Sequence, residues 1–296
     1  MSFRKKFKGC GPAIVTPFDE SGAIDVAALK RLIDFQLKGG IDFIVPCGTT
    51  GESVTLSLEE SLLVVETVVR RVDKKIPVIA GAGGYNTDHV IQTAKAMEQA
   101  GADAILSVVP YYNKPTQEGM YAHFKAIADA IHIPIVLYNI PPRTAVNMLP
   151  ETILRLSEID NIVAVKEATG NLSQMSDQAM IYPEDFIVMS GDDANTLPLI
   201  ALGANGVISV AANEIPDQMR KLTHLCLEGE FKAARKLQKS IYPLLKANFL
   251  ETNPIPVKAA LSMMGLIEES YRLPLVPMQP ENRKKLRQVL ESFSLI

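Results

Sequence analysis

The sequence has few cysteines and no long apolar run, and these shortages exclude several classes of protein. Its three cysteines, Cys10, Cys47 and Cys226, are odd in number and form no CxxC pair. This argues against a disulfide framework or a zinc site and for a reducing compartment. No run of about eighteen apolar residues occurs, so we expect no membrane span. No apolar signal region opens the chain, so we expect no signal peptide and a cytoplasmic location.

A clustered positive charge is also missing. The chain carries 30 Lys and Arg against 33 Asp and Glu, for a net charge of −3. Its short basic run, Arg4-Lys5-Lys6, is interpreted as a solvated entry to the first strand. Nucleic-acid binding usually needs a positive face, so we expect no nucleic-acid partner. The hydrophobic fraction of 47% is ordinary for a soluble globular enzyme.

Short apolar runs rich in β-branched residues recur along the chain and predict strands. Most are nearly all apolar, as parallel strands buried on both faces are. Segments of helical period separate them, and Asp25, Ser57 and Thr116 stand at predicted helix N-caps. The predicted strands are Ala13–Val15, Phe43–Val45, Ile76–Ile79, Ala104–Val109, Ile135–Tyr138, Ile162–Lys166, Phe186–Met189 and Gly206–Val210.

Eight strands alternating with helices predict an α/β protein with a (β/α)8 TIM barrel over residues 1–212. A doubly wound open sheet is the alternative, although it usually has fewer strands or a nucleotide fingerprint. After Val210 the alternation stops. Residues 213–296 predict only helices, with breaks at prolines that include Pro243, and we interpret them as a C-terminal helical extension packed on the barrel.

Chemically active residues follow several of the predicted strands, where barrel enzymes place their active sites. Lys166 ends an apolar strand, and burial there would lower its pKa and favour the neutral amine that attacks carbonyls. A surface ion pair with Glu167 is an equally good interpretation of Lys166 alone. Tyr138 and Tyr112 are candidate proton carriers, linked by Thr49, although either tyrosine could serve packing alone.

Two further features of the predicted rim have competing interpretations. Arg143 can hold a carboxylate through two hydrogen bonds or form a structural ion pair. The pair Asp192-Asp193 suggests a metal, but no histidine or further carboxylate clusters nearby, so we predict that Asp193 caps a helix instead. We expect neither a metal nor a cofactor.

Taken in order, the motifs resemble those of the dihydrodipicolinate synthase / N-acetylneuraminate lyase family across essentially the whole chain. Four segments favour the family members that condense pyruvate with L-aspartate 4-semialdehyde on the way to diaminopimelate and lysine. These segments are Thr49-Thr50, Tyr111–Pro115, Pro142-Arg143-Thr144 and Asn253–Lys258. The motifs are Thr16-Pro17-Phe18, Gly48–Glu52, Tyr111–Pro115, Tyr138–Pro141, Lys166-Glu167, Gly206–Ser209 and Asn253–Lys258.

The resemblance implies a role for each site residue. Lys166 would hold pyruvate as an imine and then an enamine, while Tyr138, Thr49 and Tyr112 would relay protons. Pyruvate would bind Thr50 and the backbone of Ile208, and Arg143 would bind the carboxylate of the second substrate. Gly191 would line the pocket.

The resemblance also implies an assembly and a regulatory difference. The phenol at Tyr112 would be supplied to a neighbouring subunit across a tight dimer, within a homo-oligomer that is commonly a tetramer made of two dimers. Family members inhibited by lysine bind it at the dimer cleft. Leu58 stands there in place of a polar group and Tyr85 in place of a small amide, so we expect weak or absent inhibition by lysine.

Two other functions stay open at this point. A lyase of the same family would cleave sialic acid or a 2-keto-3-deoxy sugar acid by the same imine chemistry, and only the second-substrate pocket distinguishes it; Arg143 favours a carboxylate over a polyol. A non-catalytic scaffold is the third hypothesis, which the set Lys166, Tyr138, Thr49 and Tyr112 disfavours because a scaffold has no chemical need for it.

Overall fold

The computed structural model describes residues 7–296, so the predicted entry at Arg4-Lys5-Lys6 lies outside the described residues. Seven strands form one parallel sheet in the order β1-β7-β6-β5-β4-β3-β2. The sheet curls, as in an α/β barrel. The strands are β1 (Gly9–Pro12), β2 (Ile79–Gly81), β3 (Ala104–Val108), β4 (Ile135–Asn139), β5 (Ile162–Glu167), β6 (Ile187–Ser190) and β7 (Gly206–Ser209).

The segment predicted as a strand at Phe43–Val45 is not a regular strand. It makes isolated parallel bridges, from Val45 to Ala13 beyond β1 and from Ile44 to Val78 before β2, and so connects the two edges of the sheet. Prolines account for its irregularity because they donate no hydrogen bond. The carbonyls of Pro12 and Pro77 accept from Val45 and Ile44, but neither proline can return a bond. The first strand begins and ends earlier than the predicted Ala13–Val15.

The helix starts predicted from the N-caps Asp25, Ser57 and Thr116 are confirmed, because such caps are strong local signals. Asp25 accepts from the backbone N–H of Ala28, Thr116 caps α4, and Ser57 forms a capping box with Glu60. Between residues 7 and 227, the helices are α1 (Val26–Lys38), α2 (Leu58–Val72), α3 (Thr87–Gln99), α4 (Gln117–Ala128), α5 (Pro141–Thr144), α6 (Pro150–Ser157), α7 (Leu172–Ile181), α8 (Thr196–Ala201) and α9 (Pro216–Leu227).

The chain after residue 228 is helical in α10 (Phe231–Ala247), α11 (Ile255–Met263) and α12 (Pro280–Ser292). The predicted break at Pro243 is wrong, since this proline lies inside α10. It is on the exposed face, where water can satisfy the carbonyl that it leaves unbonded. The buried side chains of Ile241, Leu244 and Leu245 hold the helix against its neighbours. Within residues 7–296, no helix is long and apolar enough to cross a membrane.

Apolar side chains fill the space inside the curled sheet. Phe43, Met189 and Ile208 are almost fully buried there, and Tyr138 belongs to the same cluster. A larger cluster lies between the sheet and the helices and includes Val165 of β5. Because side chains alternate across a strand, Lys166 points to the opposite side from Val165 and Glu167. The interior of the sheet therefore carries the lysine at its carboxyl-terminal end.

Candidate active site

Lys166 lies inside the sheet next to Tyr138. The two residues are paired in register between β4 and β5, and the Lys166 Nζ atom is 4.3 Å from the centre of the Tyr138 ring. Only 5% of the lysine is exposed. The sheet therefore presents an amine and a phenol side by side, at the end of the strands where parallel barrels bind substrates.

Burial lowers the pKa of Lys166 to about 8, because the ammonium form loses its hydration there. The negative charge of Asp193 opposes this shift, and the positive charge of Arg143 adds to it. Near neutral pH the neutral amine is therefore a much larger fraction of Lys166 than of an ordinary lysine. This form is the nucleophile that condenses with a carbonyl group.

Glu167 does not pair with Lys166, and the interpretation as a surface ion pair is wrong. Both residues are buried, and they face opposite sides of β5. The Glu167 carboxylate accepts from the backbone N–H of Thr169 at 2.7 Å and from Gln178 Nε2 at 2.6 Å. The glutamate thus ties β5 to α7 and leaves the lysine without a counter-ion on its own strand.

The Tyr138 phenol has its pKa raised to about 12 by burial, against the opposing effects of Arg143 and of a hydrogen bond with Thr49. It is protonated throughout the neutral range and can act first as an acid. Thr49 lies in the loop between the bridging segment and α2 and lines the same cavity as Tyr138. Three of the predicted residues, Lys166, Tyr138 and Thr49, are therefore brought together.

Arg143 borders two cavities at this end of the sheet. One has a volume of about 240 Å³ and is also lined by Thr49 and Tyr138. The other, of about 550 Å³, is lined by Gly191 and by residues of α10 and the following loop. The Arg143 Nη2 atom donates to the main-chain oxygen of Asn253 at 2.9 Å. The remaining guanidinium donors can bind an anion in either cavity.

Gly191 leaves room for the lysine side chain. A Cβ atom at this position would lie 3.0 Å from Lys166 Cε and 2.7 Å from the Cβ of Ala168. Ile208 lies across the interior on β7, which pairs with β6 only as far as Val207. The backbone of Ile208 thus extends past the end of that ladder. Gly191 lines the larger cavity, whereas the predicted contact of Ile208 with pyruvate stays a prediction.

Thr50, the next residue of the same loop, is buried, and its Oγ1 accepts from Asn253 Nδ2 at 3.0 Å. Asn253 is a residue that motif reasoning left without a role, although it opens one of the matched segments. Its contacts with Thr50 and Arg143 span about two hundred and about one hundred residues of sequence. No local pattern could have shown them.

Tyr112 is not brought to Lys166 within this chain. It is 90% exposed and has a positive φ of 69°. A bulky residue rarely adopts this left-handed conformation, and such strain concentrates at functional sites. The neighbouring Tyr111 lines the smaller cavity and packs edge-on against Tyr85. The Tyr112 ring thus stands at the surface beside the cavity.

The predicted helix cap at Asp193 is wrong, because Asp192 fills that position and accepts from the backbone N–H of Ala194. Asp193 is buried, and its Oδ2 accepts from the backbone N–H groups of Val210 and Ala211 at 3.0 and 2.9 Å. Burial raises the pKa of Asp193 to about 6. The aspartate therefore fixes the turn after β7, and its negative charge raises the pKa of Lys166 against the effect of burial.

Comparison with known proteins places this arrangement among related enzymes. A model of the dihydrodipicolinate synthetase family matches residues 6–293. The chain is 53% identical to the 4-hydroxy-tetrahydrodipicolinate synthase of Koribacter versatilis over 285 residues, which cover 96% of this chain and 95% of the relative.

Two solved structures are similar over nearly the full length. Dihydrodipicolinate synthase from Aquifex aeolicus is 49% identical with a TM-score of 0.96, covering 98% of this chain and 99% of that one. The chloride-inhibited enzyme from Acinetobacter baumannii, complexed with pyruvate, is 43% identical with a TM-score of 0.96, and covers 98% of this chain and 99% of its own.

Proposed function

Because the chain belongs to the dihydrodipicolinate synthetase family, we propose that it makes 4-hydroxy-tetrahydrodipicolinate from pyruvate and L-aspartate 4-semialdehyde. It is an aldolase-type lyase of diaminopimelate and lysine biosynthesis. The observation that carries the residue assignment is the buried Lys166, with a pKa of about 8, beside the Tyr138 phenol. A relative of known structure was obtained as a pyruvate complex, which supports pyruvate as the first substrate.

In the proposed reaction, the neutral Lys166 Nζ attacks C2 of pyruvate. Tyr138 donates a proton to the carbinolamine oxygen, which leaves as water, and an imine remains. Loss of a proton from C3 gives the enamine, whose C3 attacks the aldehyde carbon of the second substrate, and the new alkoxide takes up a proton. Attack of the substrate's own amine on C2 then closes the ring and releases Lys166.

A coupled assay tests the activity. Product formation, followed with a pyridine-nucleotide-dependent reductase of the product, requires both pyruvate and aspartate semialdehyde. Cleavage of N-acetylneuraminate or a 2-keto-3-deoxy sugar acid in place of this condensation would favour the lyase alternative. The guanidinium of Arg143 between the two cavities supports a carboxylate as the group to be bound.

Arg143 is proposed to bind the carboxylate of aspartate semialdehyde. Arg143→Ala is expected to raise KM for this substrate about tenfold to a hundredfold, the effect of losing charge-assisted hydrogen bonds. Reductive trapping of pyruvate should persist in the variant. Arg143→Lys is the matched control, since it keeps the charge but not the paired geometry. Unchanged KM for aspartate semialdehyde in Arg143→Ala would show that the assignment is wrong.

The proposed nucleophile also predicts a pH profile. Burial lowers the pKa of Lys166 to about 8, and only the neutral amine attacks pyruvate. The rate of imine trapping at low pyruvate is therefore expected to rise with pH through about 8 and then level off. A rise still centred near 10.4, the ordinary value for a lysine, would contradict a buried nucleophile.

Tyr112 is proposed to act in a neighbouring subunit, within a homo-oligomer that we take to be a tetramer of two dimers. Exposed side chains beside the smaller cavity support a subunit contact there: Val54, Tyr85 and Tyr112 are 80%, 57% and 90% exposed. Apolar and aromatic groups gathered on a surface are typical of interaction sites. The proposal requires at least a dimer for full activity.

Inhibition by lysine is proposed to be weak or absent. A cavity of about 180 Å³ near Tyr111 is walled by Leu56, Leu58, Ser61 and neighbouring uncharged residues, and no Asp or Glu is part of its wall. The two ammonium groups and the single carboxylate of lysine would find no charged partner in this cavity. The coupled assay is expected to keep most of its rate in millimolar lysine, and half-inhibition below that concentration would refute this expectation.

We further propose that residues 1–212 form the (β/α)8 barrel, with the bridging segment as its irregular eighth strand, and that residues 213–296 form a helical extension packed on it. The hydrogen bonds of residues 44–45 to both sheet edges support the closed barrel. A cytoplasmic location is also proposed. Cys10, Cys47 and Cys226 are free thiols, which supports a reducing compartment.

A further inference from the structure

Asn253 connects two loops that the proposed function assigns to different substrates. It lies between α10 and α11 and is 5% exposed. Its side-chain Nδ2 donates to Thr50 Oγ1 at 3.0 Å, and its main-chain oxygen accepts from Arg143 Nη2 at 2.9 Å. One buried residue thus contacts the threonine assigned to pyruvate and the arginine assigned to aspartate semialdehyde, through different atoms.

The side-chain contact decides which way the Thr50 hydroxyl can point. A hydroxyl has one proton to donate and accepts through its lone pairs. At Thr50 a lone pair is taken by Asn253, and this is the one hydrogen-bond partner of Thr50 Oγ1 within residues 7–296. The hydroxyl proton is therefore left to be donated, and a carboxylate, which only accepts, is the complementary group.

A second buried contact holds the same loop to the same helix region. Lys258, on α11, lies 2.5 Å from the Glu52 carboxylate, and both side chains are almost completely buried. Two residues of the Thr50–Glu52 segment are therefore fixed to the segment 253–258. Asn253 is placed firmly enough to direct a single hydroxyl, because neither end of the contact is on a mobile surface side chain.

On this basis we infer that Asn253 is a positioning residue for the proposed reaction, orienting the Thr50 hydroxyl to donate to the carboxylate of pyruvate. The inference rests on the proposed function. It assigns the amide side chain to pyruvate binding and the main-chain carbonyl to the placement of Arg143. A side-chain substitution should therefore weaken the use of pyruvate and spare the second substrate.

The test compares Asn253→Ala, Thr50→Val and the double variant with the unaltered chain. Borohydride trapping gives the pyruvate concentration for half-maximal adduct, and steady-state kinetics give KM for both substrates. Asn253→Ala is expected to raise the pyruvate requirement about tenfold, the effect of one hydrogen bond to a charged group. KM for aspartate semialdehyde should change by less than about twofold, because the carbonyl that contacts Arg143 remains. If Asn253 only stabilised the fold, its loss would impair the use of both substrates to a similar extent.

The double variant shows whether Asn253 acts through Thr50. Effects of residues that work through one contact are not additive, so the double variant should be no worse with pyruvate than Thr50→Val alone. Fully additive effects would overturn the inference, as would Asn253→Ala with an unchanged pyruvate requirement. Absence of adduct in the unaltered chain would instead defeat the proposed function.

Asn253→Asp covers the case in which the alanine variant does not fold. It keeps the shape of the side chain, but an ionised carboxylate accepts and cannot donate. The Thr50 proton would then turn toward residue 253 and away from pyruvate. The aspartate variant is expected to raise the pyruvate requirement at least as much as alanine does. An unchanged requirement would mean that Asn253 does not need to donate, which contradicts the inference.

Discussion

Lys166→Ala is expected to lower kcat by more than about 10⁴-fold, because removing a covalent nucleophile removes the reaction path itself. Lys166 is the amine beside the Tyr138 phenol, and burial has already lowered its pKa to about 8. Steady-state kinetics with the coupled assay measure the loss. Pyruvate should no longer be trapped by borohydride at saturating concentration.

Two controls separate this loss from general damage. Lys166→Arg keeps the positive charge and most of the volume but forms no stable imine, so its activity should be as low as that of the alanine variant. Lys125→Ala removes an exposed lysine of α4 that pairs with Asp129 and should leave activity unchanged. Residual turnover above a few percent in folded Lys166→Ala would show that another group is the nucleophile.

Lys258→Met is expected to lower the free energy of unfolding by about 3–5 kcal/mol, the usual cost of leaving a buried charge unpaired. Lys258 is the 2.5 Å partner of Glu52, with side-chain exposures of 0% and 1%, and its ammonium also lies 4.3 Å from the centre of the Phe18 ring. Burial lowers the pKa of Lys258, and Glu52 opposes this shift. Denaturant or thermal unfolding followed by circular dichroism measures the loss.

The double variant Glu52→Gln with Lys258→Met should recover much of the stability, since no charge is then left alone. Lys125→Met breaks an exposed pair of similar length, 2.6 Å, and should change stability little because water screens such pairs. A small effect of Lys258→Met, similar to that of Lys125→Met, would mean that the buried pair does not hold the Thr50–Glu52 loop in place.

Much of the fold follows from local signals in the sequence. Helix α2 begins at the predicted residue because Ser57 and Glu60 form a capping box, which is encoded within four residues. The apolar runs of β4 and β5 likewise predict buried parallel strands. The errors arise where tertiary contacts or proline chemistry prevail: residues 43–45 bridge two edges without forming a strand, and α10 continues through Pro243.

The candidate site is predicted in part for the same reason. Lys166 and Tyr138 end neighbouring strands, so the register of β4 and β5 brings them together. Asp192 caps the helix in place of the predicted Asp193, because only the fold shows that the turn after β7 offers Asp193 two backbone N–H groups. The Asn253 contacts are equally long-range, and Tyr112 stays away from Lys166 within one chain.

The most direct test of the central claim is borohydride reduction in the presence of pyruvate, followed by peptide mass mapping. We predict one pyruvate-derived adduct per chain, on the peptide that carries Lys166, with a trapping rate that rises with pH through about 8, the pKa that burial gives this lysine. An adduct on a different lysine, or none at saturating pyruvate, would contradict the account.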